Sequence, residues 1–310
     1  MFVKKFGTVL LLGLLCLAAS VPVSQAKAPA KVEITTDSPE LNKQIASGKV
    51  QVAVYEEPSG AEKASITSKL IKMGYTEQEL ASKPWPIKEY LVSNGLEKAK
   101  GHGASIKETP PAETNDFGTA TLNPGWMQWT HWGANVGDSY ENRIALYGTF
   151  DWNSMPEWTL VDKVGFAWAS DNGDTWATTG INIVAFHEGC YWDGYFGGVK
   201  CATLQVSSDT VTDSKANVGV GVTYDIINTF TYNGHTYYVD DVYGNATALI
   251  RRPKNGGTER RQLVSNGEYF HKQGACTFSL SFAKDPSVSV SCAWVHDQTD
   301  SLNAYVEYLP

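Results

Sequence analysis

The chain has 310 residues, a formal net charge of −8, and 42% hydrophobic and 12% aromatic residues. That length holds one large domain, or one domain with a small companion. The acidic balance excludes nucleic acid and anionic membrane as natural partners, because phosphate binding needs a basic face.

Lys4 and Lys5, the apolar run Val9 to Ala19 and the small-residue site Ser24-Gln25-Ala26 read as a secretory signal peptide over residues 1–26. The run is shorter than a comfortable membrane span before Pro22 breaks it. The expected product is therefore secreted, soluble and extracellular, with no membrane insertion. Lys4 and Lys5 leave with the leader and no acid does, so the charge moves from −8 to −10. Cys16 leaves too, and the even set Cys190, Cys201, Cys276 and Cys292 remains.

Residues 27–97 read as a small helical segment, a candidate pro-region. Ile66, Leu70 and Met73 stand at helical spacing within Ala61 to Met73, and Gly74 fits the left-handed position after the helix. Thr76 with Glu79 makes a capping box, and Pro86 to Ser93, closed by Gly95, makes a third short helix. Helices this small must dock on something. Residues 98–116, with Gly101, Gly103, Pro110 and Pro111, read as a linker. Charge also divides there: twelve lysines face thirteen acids over 27–116, while the remainder carries the bulk of the negative charge.

From Phe117 to Pro310 the period becomes that of strands. Ile144, Leu146, Gly148, Phe150 and Trp152 alternate with polar or small residues, as a half-buried strand does. Val218, Val220, Val222 and Tyr224 alternate with Gly219 and Gly221, which suggests a bulge or a close approach of another backbone. Asn172-Gly173 and Asn233-Gly234 each predict a tight hairpin. Many short strands with recurrent turns and no long helix predict a mainly β chain, an antiparallel β-sandwich for which a jelly roll is one form.

The four cysteines suit two disulfides in an oxidising compartment. Cys190 and Cys201 bracket a Gly-rich turn, Asp193 to Gly198. Leu280 opposite Val288 in a second hairpin would set Cys276 opposite Cys292; cross-pairing is the alternative. Neither pair has the spacing of a zinc knuckle, the six histidines never stand at a short ligand spacing, and no cofactor is expected. Asp171-Asn172-Gly173-Asp174 resembles part of a calcium loop but lacks its spacing and distal glutamate, and a tight hairpin explains every residue in it; an acidic exported chain admits structural calcium elsewhere.

Three functions follow. The favoured reading is non-enzymatic: a sandwich that binds an extracellular polymer or cell-surface glycan, carbohydrate first, through Trp126 and Trp132 or through the basic island Arg251, Arg252, Arg260 and Arg261. Flat aromatic rings stack on sugars, and arginine holds carboxylate or phosphate with two hydrogen bonds. The alternative is a polysaccharide hydrolase whose paired carboxylates come from Asp151, Glu157, Glu188 and Asp193, lying among Trp152, Trp158, Tyr191 and Trp192. The third is a secreted effector or structural protein whose N-terminal part is a pro-segment. Gly-x-Ser-x-Gly, P-loop and dinucleotide fingerprints are absent.

Overall fold

The computed structural model describes residues 34–81, 83–97, 104–105, 120–121, 127–137, 140–152, 155–156, 161–272, 279–283, 285–290, 296–298 and 302–310. Its first part runs β1 (Thr35–Thr36), α1 (Pro39–Ala46), β2 (Val50–Tyr55), α2 (Gly60–Lys72), α3 (Glu77–Ala81) and α4 (Trp85–Ser93). Two short strands, β3 (Ala104–Ser105) and β4 (Ala120–Thr121), lead to β5 (Met127–Asn135), β6 (Glu141–Trp152), β7 (Val161–Ser170) and β8 (Ala177–Trp192). Then follow α5 (Gly194–Gly197), β9 (Val199–Ser208), β10 (Val211–Lys215), β11 (Gly219–Asp225), β12 (Thr229–Tyr232) and β13 (His235–Pro253). The chain closes with β14 (Arg261–Lys272), β15 (Leu280–Ala283), β16 (Ser287–Val290), β17 (His296–Gln298) and β18 (Leu302–Tyr308).

Two large sheets form. The first is ordered β2-β9-β8-β13-β6-β5-β3, with β12 pairing β13 and β1 pairing β12; the second is ordered β10-β11-β7-β14-β17-β4, with β18 pairing β14. All pairings are antiparallel except β4 with β17. The chain is thus a β-sandwich, as its alternation predicts. Between the sheets lie Trp129, Phe150 and Ile183 from the first, and Val164, Phe166, Val222 and Tyr269 from the second. This apolar burial is the main driving force for the fold.

The expected helices form where caps and periodicity place them. Thr76 Oγ1 accepts from the Glu79 amide and Glu79 accepts from the Thr76 amide, the reciprocal pairing of a capping box. Gly74 takes φ +95° after α2. The segment expected to be helical throughout also contains a strand, however. Val50, Val52 and Val54 alternate along β2, which pairs with β9 from Val50↔Ser208 to Tyr55↔Thr203. A six-residue strand between two capped helices gives little periodic signal of its own, and its pairing partner lies some 150 residues away.

The helices settle on the outer face of the first sheet. Leu70, Tyr75, Leu80, Ile87 and Leu91 meet Ala145, Tyr147, Val184, Phe186 and Tyr243 there. Consequently β6, expected to be half-buried, is buried on both faces: Ile144 and Leu146 face the core, Ala145 and Tyr147 the helices. Tyr75 Oη lies 2.7 Å from Tyr147 Oη and donates to the Leu96 carbonyl at 2.8 Å.

Two turn expectations diverge. Asn233-Gly234 joins β12 to β13 with φ of +51° and +79°, as a two-residue hairpin requires. Asn172-Gly173 makes a tight turn but no hairpin: β7 belongs to the second sheet and β8 to the first, and only Gly173 of the two takes a positive φ. The dipeptide encodes a reversal, not the sheet that the next strand joins. The β15–β16 hairpin also forms, yet Leu280 faces Val290 and Phe282 faces Val288, two residues from the predicted register. A shift of two leaves every side chain on its original face, so alternation cannot distinguish the registers. Cys276 and Cys292, whose pairing was drawn from that register, lie outside the described residues.

Candidate functional site

One end of the first sheet's outer face is left bare by the helices. On β8, Val184 and Phe186 lie beneath them, whereas Glu188, Cys190 and Trp192, on the same side by alternation, run out beyond. Pairing sets Asp241 opposite Glu188 and Tyr238 opposite Cys190 on β13, and Thr203 and Cys201 opposite the same two residues on β9. The resulting strip carries two carboxylates, a disulfide and two open aromatics. Trp192 is 65% exposed and Tyr238 66%, whereas Phe186 and Tyr243, further along the same strands, are at 3%.

Local features hold this strip in shape. Cys190 and Cys201 are directly paired and disulfide-bonded, with Cα atoms 4.0 Å apart, as their bracketing of the Gly-rich turn predicts. They staple the hairpin whose tip is α5. Asp193 in that tip pairs with Lys200, and the hydrogen bond and charge of Lys200 hold its carboxyl below the usual range. On β13 the register slips between Val239 and Asp241. The bulge at Asp240 re-aims the side chains beside it, a device common next to binding and catalytic sites.

The carboxylates press on one another. Burial, and then the charges of Asp151 and Glu188, push the Asp241 carboxyl up to about 6. Burial also raises Glu188, despite the hydrogen bond from Thr203 Oγ1 to Glu188 Oε1 at 3.4 Å. Asp151 stands on β6 opposite Tyr243, one step along the face from Asp241. Burial raises it while the charge of Lys83 opposes the rise. Lys83 in turn is lowered by its own burial. These two line a cavity of about 50 Å³ with Ile87, Thr130, Thr149 and Tyr243, room for one or two waters and for no sugar ring.

The sequence candidates fall into distinct groups. Asp151 and Glu188 come to the same region of one face, joined by Asp241, which the sequence reading did not single out. Trp132 is partly buried against the helix-covered cluster, while Met127, Trp129 and His131 of the same strand are in the core. The four arginines all engage acids. Arg252 and Arg261 converge on Asp174 Oδ2, which also accepts from Tyr308 Oη at 2.8 Å. Arg251 lies 3.8 Å from Glu141 and Arg260 2.9 Å from Glu307. The Asp171–Asp174 turn therefore ties the two sheets together through Asp174. Trp126, Glu157 and Trp158 lie outside the described residues.

Two other polar clusters are buried. His187 is buried, with Nε2 3.2 Å from the Asp225 carbonyl. Asp162 receives Tyr269 Oη and lies 2.9 Å from His271 Nδ1, with Asp162 0% and His271 3% exposed. Among the described residues no group of three His, Cys, Asp or Glu side chains is arranged to hold a metal. No described helix is long and apolar enough to cross a membrane.

No family model matches the chain, and no curated protein matches it. Among solved structures, the Clostridium perfringens NetB toxin in its membrane-inserted form is similar at 10% identity, with a TM-score of 0.20, over 68% of this chain and 94% of that one. A likeness of that size carries no argument.

Proposed function

We propose that the protein is a secreted, non-enzymatic β-sandwich that binds an extracellular polymer, a carbohydrate, on the open strip of its first sheet. The observation that carries this reading is the pair of exposed aromatics, Trp192 and Tyr238, on one face of a disulfide-stapled sheet end beside Glu188 and Asp241. Sugar rings offer flat C–H faces that stack on indole and phenol, and hydroxyls that donate to carboxylates. A stapled sheet presents these groups with little ordering cost on binding. Trp192 and Tyr238 join Trp126 and Trp132 as aromatic candidates for this stacking.

A second reading has its own support. Asp241 at about 6, flanked by Asp151 and Glu188, has the character of a general acid beside a base, which glycoside hydrolysis needs. One experiment addresses both: incubate the protein with amorphous cellulose, chitin, xylan and peptidoglycan, and measure retention and released reducing ends. Binding predicts retention without release, reduced at least tenfold by Trp192→Ala with Tyr238→Ala at an unchanged Tm. Release abolished by Asp241→Asn would replace the binding reading with the hydrolase. Retention on none of the four would remove both.

A further inference from the structure

The β15–β16 hairpin packs on the outer face of the second sheet, and among the described residues it is fastened unlike any other strand pair. It forms a two-stranded sheet of its own, hydrogen-bonded into neither large sheet among the described residues. Beneath it, the second sheet presents glycines where side chains would stand. A β-carbon at Gly219 would fall 2.3 Å from the Phe282 ring, one at Gly165 2.7 Å from Val288 Cγ1, and one at Gly221 2.7 Å from Leu280 Cδ1. Gly219 and Gly221, expected to mark a bulge or a close backbone approach, are met instead by side chains of the hairpin. Three knobs fill three glycine holes, and Ala167, Val218 and Phe270 complete the contact.

The backbone of the hairpin edge is met by side chains instead of a ladder. Asp213 Oδ1 accepts from the Leu280 amide at 2.9 Å while its Oδ2 holds Lys163 Nζ at 2.7 Å, both side chains 8% exposed. Lys215 Nζ donates to the Phe282 carbonyl at 3.0 Å. Among the described residues, undocking therefore breaks no ladder of either large sheet and leaves the Lys163–Asp213 pair in place. An isolated two-stranded hairpin has little stability of its own, so its order depends on the three knobs.

We propose that the β15–β16 hairpin is a releasable strap, an autonomous unit that opens from the glycine-floored face of the second sheet while the sandwich stays folded. Docked, it keeps that apolar groove from water and from strand-like segments of other chains. Opening of one contiguous unit while the rest stays folded is a normal property of native proteins.

Hydrogen exchange on the full chain tests this with two variants of opposite steric sense. Gly219→Ala pushes Phe282 out of its hole, and Phe282→Ala removes the knob. In the wild type the Leu280–Val290 amides should exchange at least about a hundredfold faster than those of β7 and β14, and each variant should add about tenfold with β7 and β14 unchanged. Equal exchange of hairpin and sandwich in the wild type would overturn the proposal. So would acceleration of both together in the two variants, which would make the hairpin part of the cooperative core.

Discussion

One face of the first sheet is two surfaces. Along β8 and β13 the stretch bearing Val184, Phe186 and Tyr243 is sealed by helices, and the stretch bearing Glu188, Asp241, Trp192 and Tyr238 is open. Both stretches use aromatic residues in the same alternation, so alternation does not decide which is core and which is a binding surface. What decides is whether another element reaches over them. The helical segment ends its cover near Tyr55, whose hydroxyl donates to Glu89 at 2.5 Å, and beyond that line the disulfide takes over the task of holding the sheet.

The most severe test of that division compares two aromatics six residues apart on one strand. Phe186 packs against Tyr55 and Tyr243 with ring centroids 5.8 and 5.5 Å away, and Phe186→Ala should cost about 3–5 kcal/mol. Trp192→Ala should change stability by no more than about 0.5 kcal/mol while reducing polymer retention. Urea denaturation of both variants checks this. Equal losses would mean that Trp192 is structural and that the strip is no platform.

Acid should separate the buried interior from the strip. Burial holds His131 down at about 3 and His187 at about 4, against an ordinary 6.5. The folded protein keeps both neutral while the unfolded chain takes up protons, so stability is lost as pH falls below about 6.5, by on the order of 2 kcal/mol per histidine at pH 5. Asp241 has the opposite sign. Raised from 3.8 to about 6, it binds its proton better in the fold and returns some stability as pH falls from about 6 toward 4. Asp241→Asn should therefore raise Tm slightly at pH 7 and steepen the loss between pH 6.5 and 5. A loss unchanged in slope would mean that Asp241 is as well solvated in the fold as in the unfolded chain.

The staple gives a smaller effect confined to the open half. Replacing Cys190 and Cys201 by serine removes a crosslink of sequence separation 11, a loss of about 2–3 kcal/mol by chain entropy. Exchange should rise first at Trp192, Val199 and Tyr238, with Val184 and Phe186 retaining protection. A uniform rise would show that the two halves open as one.

What could be seen in the sequence follows from which interactions are local. The capping box at Thr76 and the Asn233-Gly234 turn are complete within a few residues, and both stand where their spacing puts them. The bracketing of a turn by Cys190 and Cys201 was equally local. Asn172-Gly173 failed because its turn is local but the destination of β8 is not. Glu188 and Asp151 could be named as acids among aromatics; Asp241 could not, since its distinction comes from a bulge and from pairing opposite Glu188. Trp126 and Trp132 drew attention as a cluster along the chain, whereas Trp192 and Tyr238 are brought onto one face only by the β8–β13 ladder.

The smallest effect tests how the sealed half is sealed. The Thr76 side chain accepts from the Glu79 amide at 3.2 Å and donates to Glu79 Oε2 at 2.9 Å, and α3 carries Leu80 into the cluster above Tyr147 and Phe186. Thr76→Ala frees the first-turn amides and should cost about 1 kcal/mol. The loss should appear as faster exchange in α3 and around Lys83, which follows it and meets Asp151 across the cavity. Retention on polymer should be unchanged, because α3 packs through Leu80 into the helix-covered cluster, to which Glu188, Trp192 and Tyr238 do not belong. Weakened retention would mean that the helical cover and the open strip act together, and the boundary at Tyr55 would lose its meaning.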